Sequence, residues 1–217
     1  PEAFKNYQPK KWVTDKKSES LQIVLLPGSR HSEIKLILPE MLLAANILKQ
    51  HDRRFSFVLP ALPSLLPLIK CYADGYDVDI VEGSGDLISI LQSSTAMIAT
   101  SGTVTLQAAL CGTIGVTCYR TGMLSAFIGR HLVDLDRVIL PNAILGRRLY
   151  PFYFQETVTG KALASAILDA VEDQSANERL LGAACELKSL LTGNKASFSD
   201  LVVSALQNWL GPPKKPA

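Results

Sequence analysis

Arg30 closes a run, Leu21 to Ser32 (LQIVLLPGSRHS), whose residue types suit the binding of an anion. Leu21, Ile23, Val24, Leu25 and Leu26 make the continuous apolar stretch expected of a parallel strand covered on both faces, and Pro27 and Gly28 end it. From Glu33 to Gln50 the apolar positions Ile34, Ile37, Leu38, Met41, Leu42, Ala45 and Leu48 recur at helical spacing, with Ser32 as the expected N-cap. A helix that starts directly after the turn offers its N–H groups and positive dipole end to a phosphate or diphosphate, with the Arg30 guanidinium beside them. Gly28 lets the backbone approach such a ligand. The plainer alternative is an ordinary strand-to-helix turn with a solvated arginine.

The turn Thr100, Ser101, Gly102, Thr103 repeats the logic after a second buried strand, Thr95 to Ala99. Ligands of open α/β sheets bind in the crevice outside the carboxyl ends of the strands, so both turns should border one crevice. Two anion cradles facing one crevice suit a nucleotide diphosphate; the alternative is that Ser101 or Thr103 only caps its helix. A third segment, Pro141 to Gln155, sets Asn142, Arg147 and Arg148 among Ile144, Leu145, Tyr150, Phe152, Tyr153 and Phe154. Such a stretch could meet acyl chains or a membrane surface, or be a packed connection with its arginines in water. The helix expected over Met123 to Leu132 carries the same two readings, with His131 on its surface.

To position these turns, strand and helix must alternate, and they do. Strands are expected at Leu21 to Leu26, Phe55 to Leu59, Val78 to Val81, Thr95 to Ala99, Ile114 to Tyr119 and Arg137 to Leu140. Helices are expected between them, at Glu33 to Gln50, Pro63 to Ala73 with Pro67 awkwardly inside, Gly85 to Ser93, and Val104 to Cys111. The pattern predicts an α/β protein: a Rossmann-like open parallel sheet with helices on both faces, plus C-terminal helices. From Thr159 to Leu210 it is purely helical, with breaks near Asp173 to Asn177 and Thr192 to Asn194.

The chain's 217 residues, 47% of them apolar, allow one compact unit with a real core. A net charge of +2 gives no whole-chain argument for nucleic acid, and the lysine clusters at Lys10 to Lys17 and Lys214, Lys215 read as solvated ends. Cys71, Cys111, Cys118 and Cys185 show no metal-binding spacing and read as reduced thiols of a cytoplasmic-type protein. No apolar run reaches the roughly 18 residues of a membrane span. Three parts are expected: residues 1–20 as a linker from an upstream region, 21–194 as the Rossmann-like domain that carries the two cradles, and 195–217 as a terminal helix and tail. That helix, Ala196 to Leu210, has Phe198, Leu201, Val202, Ala205, Leu206 and Trp209 on one stripe, and could pack on a partner or form a homodimer.

LLPGSR before a helix with Glu33, then ATSGTVTLQAAL, then Tyr119-Arg120, then LPNAILGR and Gln155, in that order and spacing, resemble the C-terminal half of lipid-A-disaccharide synthases. The resemblance runs from Leu21 to Leu210 and implies the C-terminal domain of a GT-B fold, in which two Rossmann-like domains face each other. It also implies a hexosyltransferase that joins UDP-2,3-diacylglucosamine to 2,3-diacylglucosamine 1-phosphate and releases UDP, with no metal or other cofactor. Carried over, it makes Arg30 the diphosphate partner and leaving-group stabiliser, with Gly28, Ser29, Ser101, Gly102 and Thr103 in the two cradles. Asn142 and Arg147 would sit at the edge of the donor site, and Gln107 near the ribose. The base for the acceptor belongs to the other half, so this chain is expected to bind donor without turning it over. Lipid substrates place it in the cytoplasm, peripherally on the inner face of the inner membrane.

Two positions depart from the family pattern: Gln107 and Arg148 each stand where a glutamate is usual. A neutral amide makes weaker hydrogen bonds to ribose hydroxyls than a carboxylate, which predicts weaker donor binding. Two other readings stay open: half of a different UDP-sugar enzyme, an epimerase or a transferase with a soluble acceptor, and a non-catalytic anion-binding module.

Overall fold

In a computed structural model, residues 20–83, 87–122 and 138–192 are described. The helices expected at Met123 to Leu132, with His131, and at Ala196 to Leu210 lie outside those residues, as do the two lysine clusters.

The first strand, β1 (Leu21–Leu26), is buried on both faces because it sits mid-sheet. Ile23 and Leu25 point into one apolar cluster, Val24 and Leu26 into the other. It leads to α1 (His31–His51), then β2 (Phe55–Ala61), α2 (Leu66–Ala73), β3 (Asp79–Glu82), α3 (Leu87–Ser93), β4 (Ala96–Thr100), α4 (Thr103–Cys111) and β5 (Ile114–Tyr119). After these come α5 (Leu140–Leu145), β6 (Phe152–Phe154), α6 (Gly160–Glu172) and α7 (Gln174–Thr192). Among the described residues, six strands pair in parallel in the order β3-β2-β1-β4-β5-β6. Helices cover both faces: α1 and α6 pack together over one, with Ile34, Ile37, Leu38, Leu163 and Ile167 in its core. On the other, α3, α4 and α7 bury Leu91, Ala108, Leu180 and Leu187. The α1–α6 contact is very close, for a Cβ on Gly160 would lie 2.5 Å from Leu43 Cβ.

The expected α/β Rossmann-like sheet is therefore present, and three local expectations are corrected. The strand placed at Arg137 to Leu140 does not form over its described part, 138–140; the chain bends there and enters α5, whose first turn holds Pro141. Proline suits that position because its fixed φ is helical and its missing N–H has no helix partner to lose. The sixth strand is instead Phe152–Phe154, on the outer edge beside β5, inside the segment whose aromatic residues had suggested an amphiphile. Pro67 is not awkward, since a 3₁₀ turn at Pro63–Leu65 precedes α2 and leaves Pro67 in the helix's first turn.

Candidate functional site

In the order 3-2-1-4-5-6 the direction of winding reverses between β1 and β4, and ligands of open α/β sheets bind at that switch point. A crevice of about 530 Å³ opens there at the carboxyl ends of the strands. One wall is the β1–α1 turn (Gly28, Ser29, Arg30 and Glu33), another the β4–α4 turn (Thr100 to Val104). The third is apolar, built by Pro60, Leu62, Leu65 and Ile69 with Leu87 opposite.

The two turns differ. In the first, the N-cap is Arg30 in extended conformation, not Ser32, and Glu33 becomes the third helical residue. From there its carboxylate folds back: Oε2 accepts the N–H groups of Ser29 (3.0 Å) and Arg30 (3.2 Å), and Oε1 accepts Arg30 Nη1 (3.0 Å). The carboxylate lies directly over Gly28, whose φ is +104°; a Cβ there would stand 2.2 Å from Glu33 Oε2. Two donors that the sequence left open to a ligand are thus taken by the chain itself. Arg30 remains 73% exposed at the mouth, where it can reach an anion.

The second turn is built differently. Ser101 donates its N–H to the Cys118 carbonyl (3.1 Å), and the N-cap of α4 is Gly102, which has no side chain with which to cap the helix. Ser101 uses its hydroxyl to donate to the Val138 carbonyl (3.2 Å), and Thr105 donates to the Gly102 carbonyl (2.7 Å), so neither hydroxyl competes for the first helical N–H groups. Thr100, almost wholly buried, donates to the Leu26 carbonyl (2.7 Å) and ties the ends of β4 and β1 together across the switch point. Thr103 is exposed at the start of the helix.

Gly28, Ser29, Arg30, Ser101, Gly102 and Thr103 are therefore brought to one crevice. Gln107, half-buried one helical turn beyond Thr103, is not part of its lining. Asn142 is buried and turned inward: its Oδ1 accepts the N–H groups of Leu149 (2.9 Å) and Tyr150 (3.1 Å), and its Nδ2 donates to the Tyr150 carbonyl (3.2 Å). It shapes the turn that delivers Tyr150, itself buried with its hydroxyl on the Thr113 carbonyl (2.8 Å). Burial pushes that phenol well above its usual range. Arg147 lies at the other end of the sheet, in a cavity of about 750 Å³ lined by the first residues of β5 and by α6 and α7. There it pairs with Glu186, which raises the guanidinium and lowers the carboxyl. The structure thus does not bring Arg147 to the crevice of the two turns, because the chain turns back after α5 to start β6.

A cluster that sequence reasoning missed sits behind the first turn, at the ends of β5 and β6. Arg120 bonds the carbonyls of Gln155 (3.1 Å), Leu36 (3.3 Å) and Val158 (2.5 Å) and pairs with Glu40 (3.2 Å), which also accepts the Gly160 N–H (2.7 Å). Gln155 has a positive φ of 53° and grips the Thr121 backbone through both ends of its amide, at 3.0 and 2.9 Å. These bonds fix α1, and with it the turn carrying Arg30, to the sheet. Glu33 was missed because placing the N-cap at Ser32 shifted the helix frame; the signal was a glutamate three residues after Arg30, the spacing of a capping box.

The parallel Rossmann-like sheet with a crevice at its switch point is a fold found in proteins of known structure. Among solved structures, the spinosyn rhamnosyltransferase SpnG superposes with a TM-score of 0.54 at 16% identity, over 93% of this chain and 50% of that one. Anabaena HepE, crystallised with UDP and glucose, gives 0.54 at 14% identity, over 88% and 49%. The sequence matches the family model for lipid-A-disaccharide synthetase over residues 2–197, and this chain belongs to that family. It is 33% identical over 196 residues to the lipid-A-disaccharide synthase of Bradyrhizobium diazoefficiens, covering 88% of this chain and 50% of that protein. With the enzyme of Nitrosococcus oceani it shares 31% over 185 residues, covering 84% and 48%. The chain spans about half the length of these relatives.

Proposed function

We propose that this chain holds the sugar-nucleotide donor of a hexosyltransferase that joins UDP-2,3-diacylglucosamine to 2,3-diacylglucosamine 1-phosphate, forming the lipid A disaccharide and UDP. The observation that carries this reading is the meeting, in one crevice of a lipid-A-disaccharide synthetase family member, of Arg30 with the uncapped start of α4. The diphosphate would lie between them, with the uncharged part of the donor against the apolar wall of Pro60, Leu62, Leu65 and Ile69. As the glycosidic bond breaks, negative charge collects on the diphosphate; preoriented N–H groups and a guanidinium offset it without reorganising, and no metal is invoked. A base on the acceptor hydroxyl is also needed, and this reading assigns it to the part of the relatives that this chain does not span. The lipid substrates place the reaction at the cytoplasmic face of the inner membrane; among the described residues no helix is long and apolar enough to cross one.

Calorimetric titration with UDP, with and without EDTA, tests the reading. Saturable binding that EDTA leaves unchanged and that Arg30→Ala abolishes is expected. Absence of binding in every variant would contradict it and favour a non-catalytic module, the reading to which Gln107 lends weight. Displacement of UDP by its N-acetylglucosamine derivative as readily as by the diacylated donor would instead indicate an enzyme of a soluble sugar nucleotide.

A further inference from the structure

We propose that Glu33 tunes the charge specificity of the donor site: its carboxylate occupies the anion nest of the first turn and disfavours a terminal, doubly charged phosphate, so that spent UDP is held less firmly than Arg30 and the start of α4 alone would hold it. The inference rests on the donor-site reading above and concerns a residue that reading does not use. Glu33 is only 8% exposed, yet its carboxylate forms part of the crevice wall. The N–H groups of Ser29 and Arg30 and the Arg30 Nη1, the donors an incoming phosphate would meet at this turn, all point at it. With its Oε2 2.2 Å from where a Gly28 Cβ would stand, it fills the space over the loop, and a phosphate oxygen could enter the nest only by expelling it.

A phosphate in the crevice therefore meets a fixed negative charge on the side of the first turn, and meets positive potential from Arg30 and from the start of α4. In a sugar nucleotide each phosphate carries one ester and one anhydride bond and therefore one negative charge. Cleavage of the anomeric C–O bond leaves its electron pair on the terminal phosphate, whose second ionisation near pH 6 makes it close to dianionic at pH 8. The product thus presents more charge to Glu33 than the substrate did, and at a few ångströms in a partly solvated site that repulsion makes the affinity for UDP, relative to a capped diphosphate, about ten-fold lower than it would be without the Glu33 charge. Glu33 would in this way favour release of UDP after transfer.

The test uses the full chain and two probes that differ only in that charge: UDP and its β-methyl ester, titrated calorimetrically at pH 8. Glu33→Gln keeps an acceptor oxygen for Ser29 and Arg30 but removes the charge, and should raise the ratio of UDP affinity to methyl-ester affinity about ten-fold by tightening UDP. A Glu33→Gln protein in which the ratio is kept, with both ligands changed in parallel or not at all, would overturn the inference. Binding of neither ligand by the unmodified protein would overturn the donor-site reading itself, and this inference with it.

Discussion

Gly28→Ala perturbs the first turn at its most crowded point, and the size of the effect can be worked from two contributions. The backbone there has φ +104°, which costs a residue with a Cβ about 1–3 kcal/mol. The new methyl carbon would also fall 2.2 Å from Glu33 Oε2 and 3.0 Å from Glu33 Cβ and Cδ, and must push the carboxylate out of its nest. That leaves the Ser29 and Arg30 N–H groups without their acceptor, at about 1–3 kcal/mol. The substitution should therefore destabilise the chain by about 2–6 kcal/mol. Glu33→Ala alone should cost only the second contribution, and the double variant should cost little more than the backbone strain plus that same loss. The two single effects should then exceed the double effect by about 1–3 kcal/mol, a coupling well outside ordinary additivity. Equilibrium unfolding in guanidinium chloride measures all four proteins. Strict additivity would refute the placement of the Glu33 carboxylate over Gly28, and with it the account of why the loop has this shape.

Asn142→Ala should lower stability by about 2–4 kcal/mol while leaving UDP affinity intact, because two buried N–H groups and one carbonyl lose their partner away from the crevice; thermal unfolding and a UDP titration on the same sample check it. Arg147→Ala should leave UDP affinity unchanged, since the side chain is paired with Glu186 at the amino ends of the strands; a weakening would mean that the donor reaches that end of the sheet. Burial raises the Cys118 thiol from its ordinary 9.0 to about 12. The unfolded chain loses that proton first as pH rises, so this contribution to stability is complete below pH 9 and is lost between pH 9 and about 12, a slope that Cys118→Ala should remove. In the native protein a thiol reagent should modify exposed Cys71 and Cys185 quickly, and buried Cys111 and Cys118 only as fast as the chain unfolds.

Where one local pattern decided an element, the fold was legible before the structure. The apolar run Leu21–Leu26 and the helical spacing from Ile34 to Leu48 needed no tertiary context, and β5 falls at Ile114–Tyr119 as expected. Legibility failed where an edge and a connection compete. Phe152–Phe154 is only three residues long, half-buried and paired on one side, so its pattern resembles a loop, whereas Val138 to Leu140 look strand-like but run into the proline of α5. At the site, the residues of the two turns could be read because turns after buried strands of one parallel sheet must open on the same end. The fates of Asn142 and Arg147 could not, since nothing local says which way a chain will run after a short helix. Nor could the inequality of the two turns: it depends on which residue caps α1, and a shift from Ser32 to Arg30 converts Glu33 from an ordinary first-turn residue into an occupant of the nest.

A crystal structure of this chain with UDP tests the central claim most directly. The account predicts the diphosphate between the Arg30 guanidinium and the first N–H groups of α4, with the Glu33 carboxylate still seated over Gly28. UDP bound in the cavity beside Arg147, or a diphosphate lying away from both turns, would contradict it.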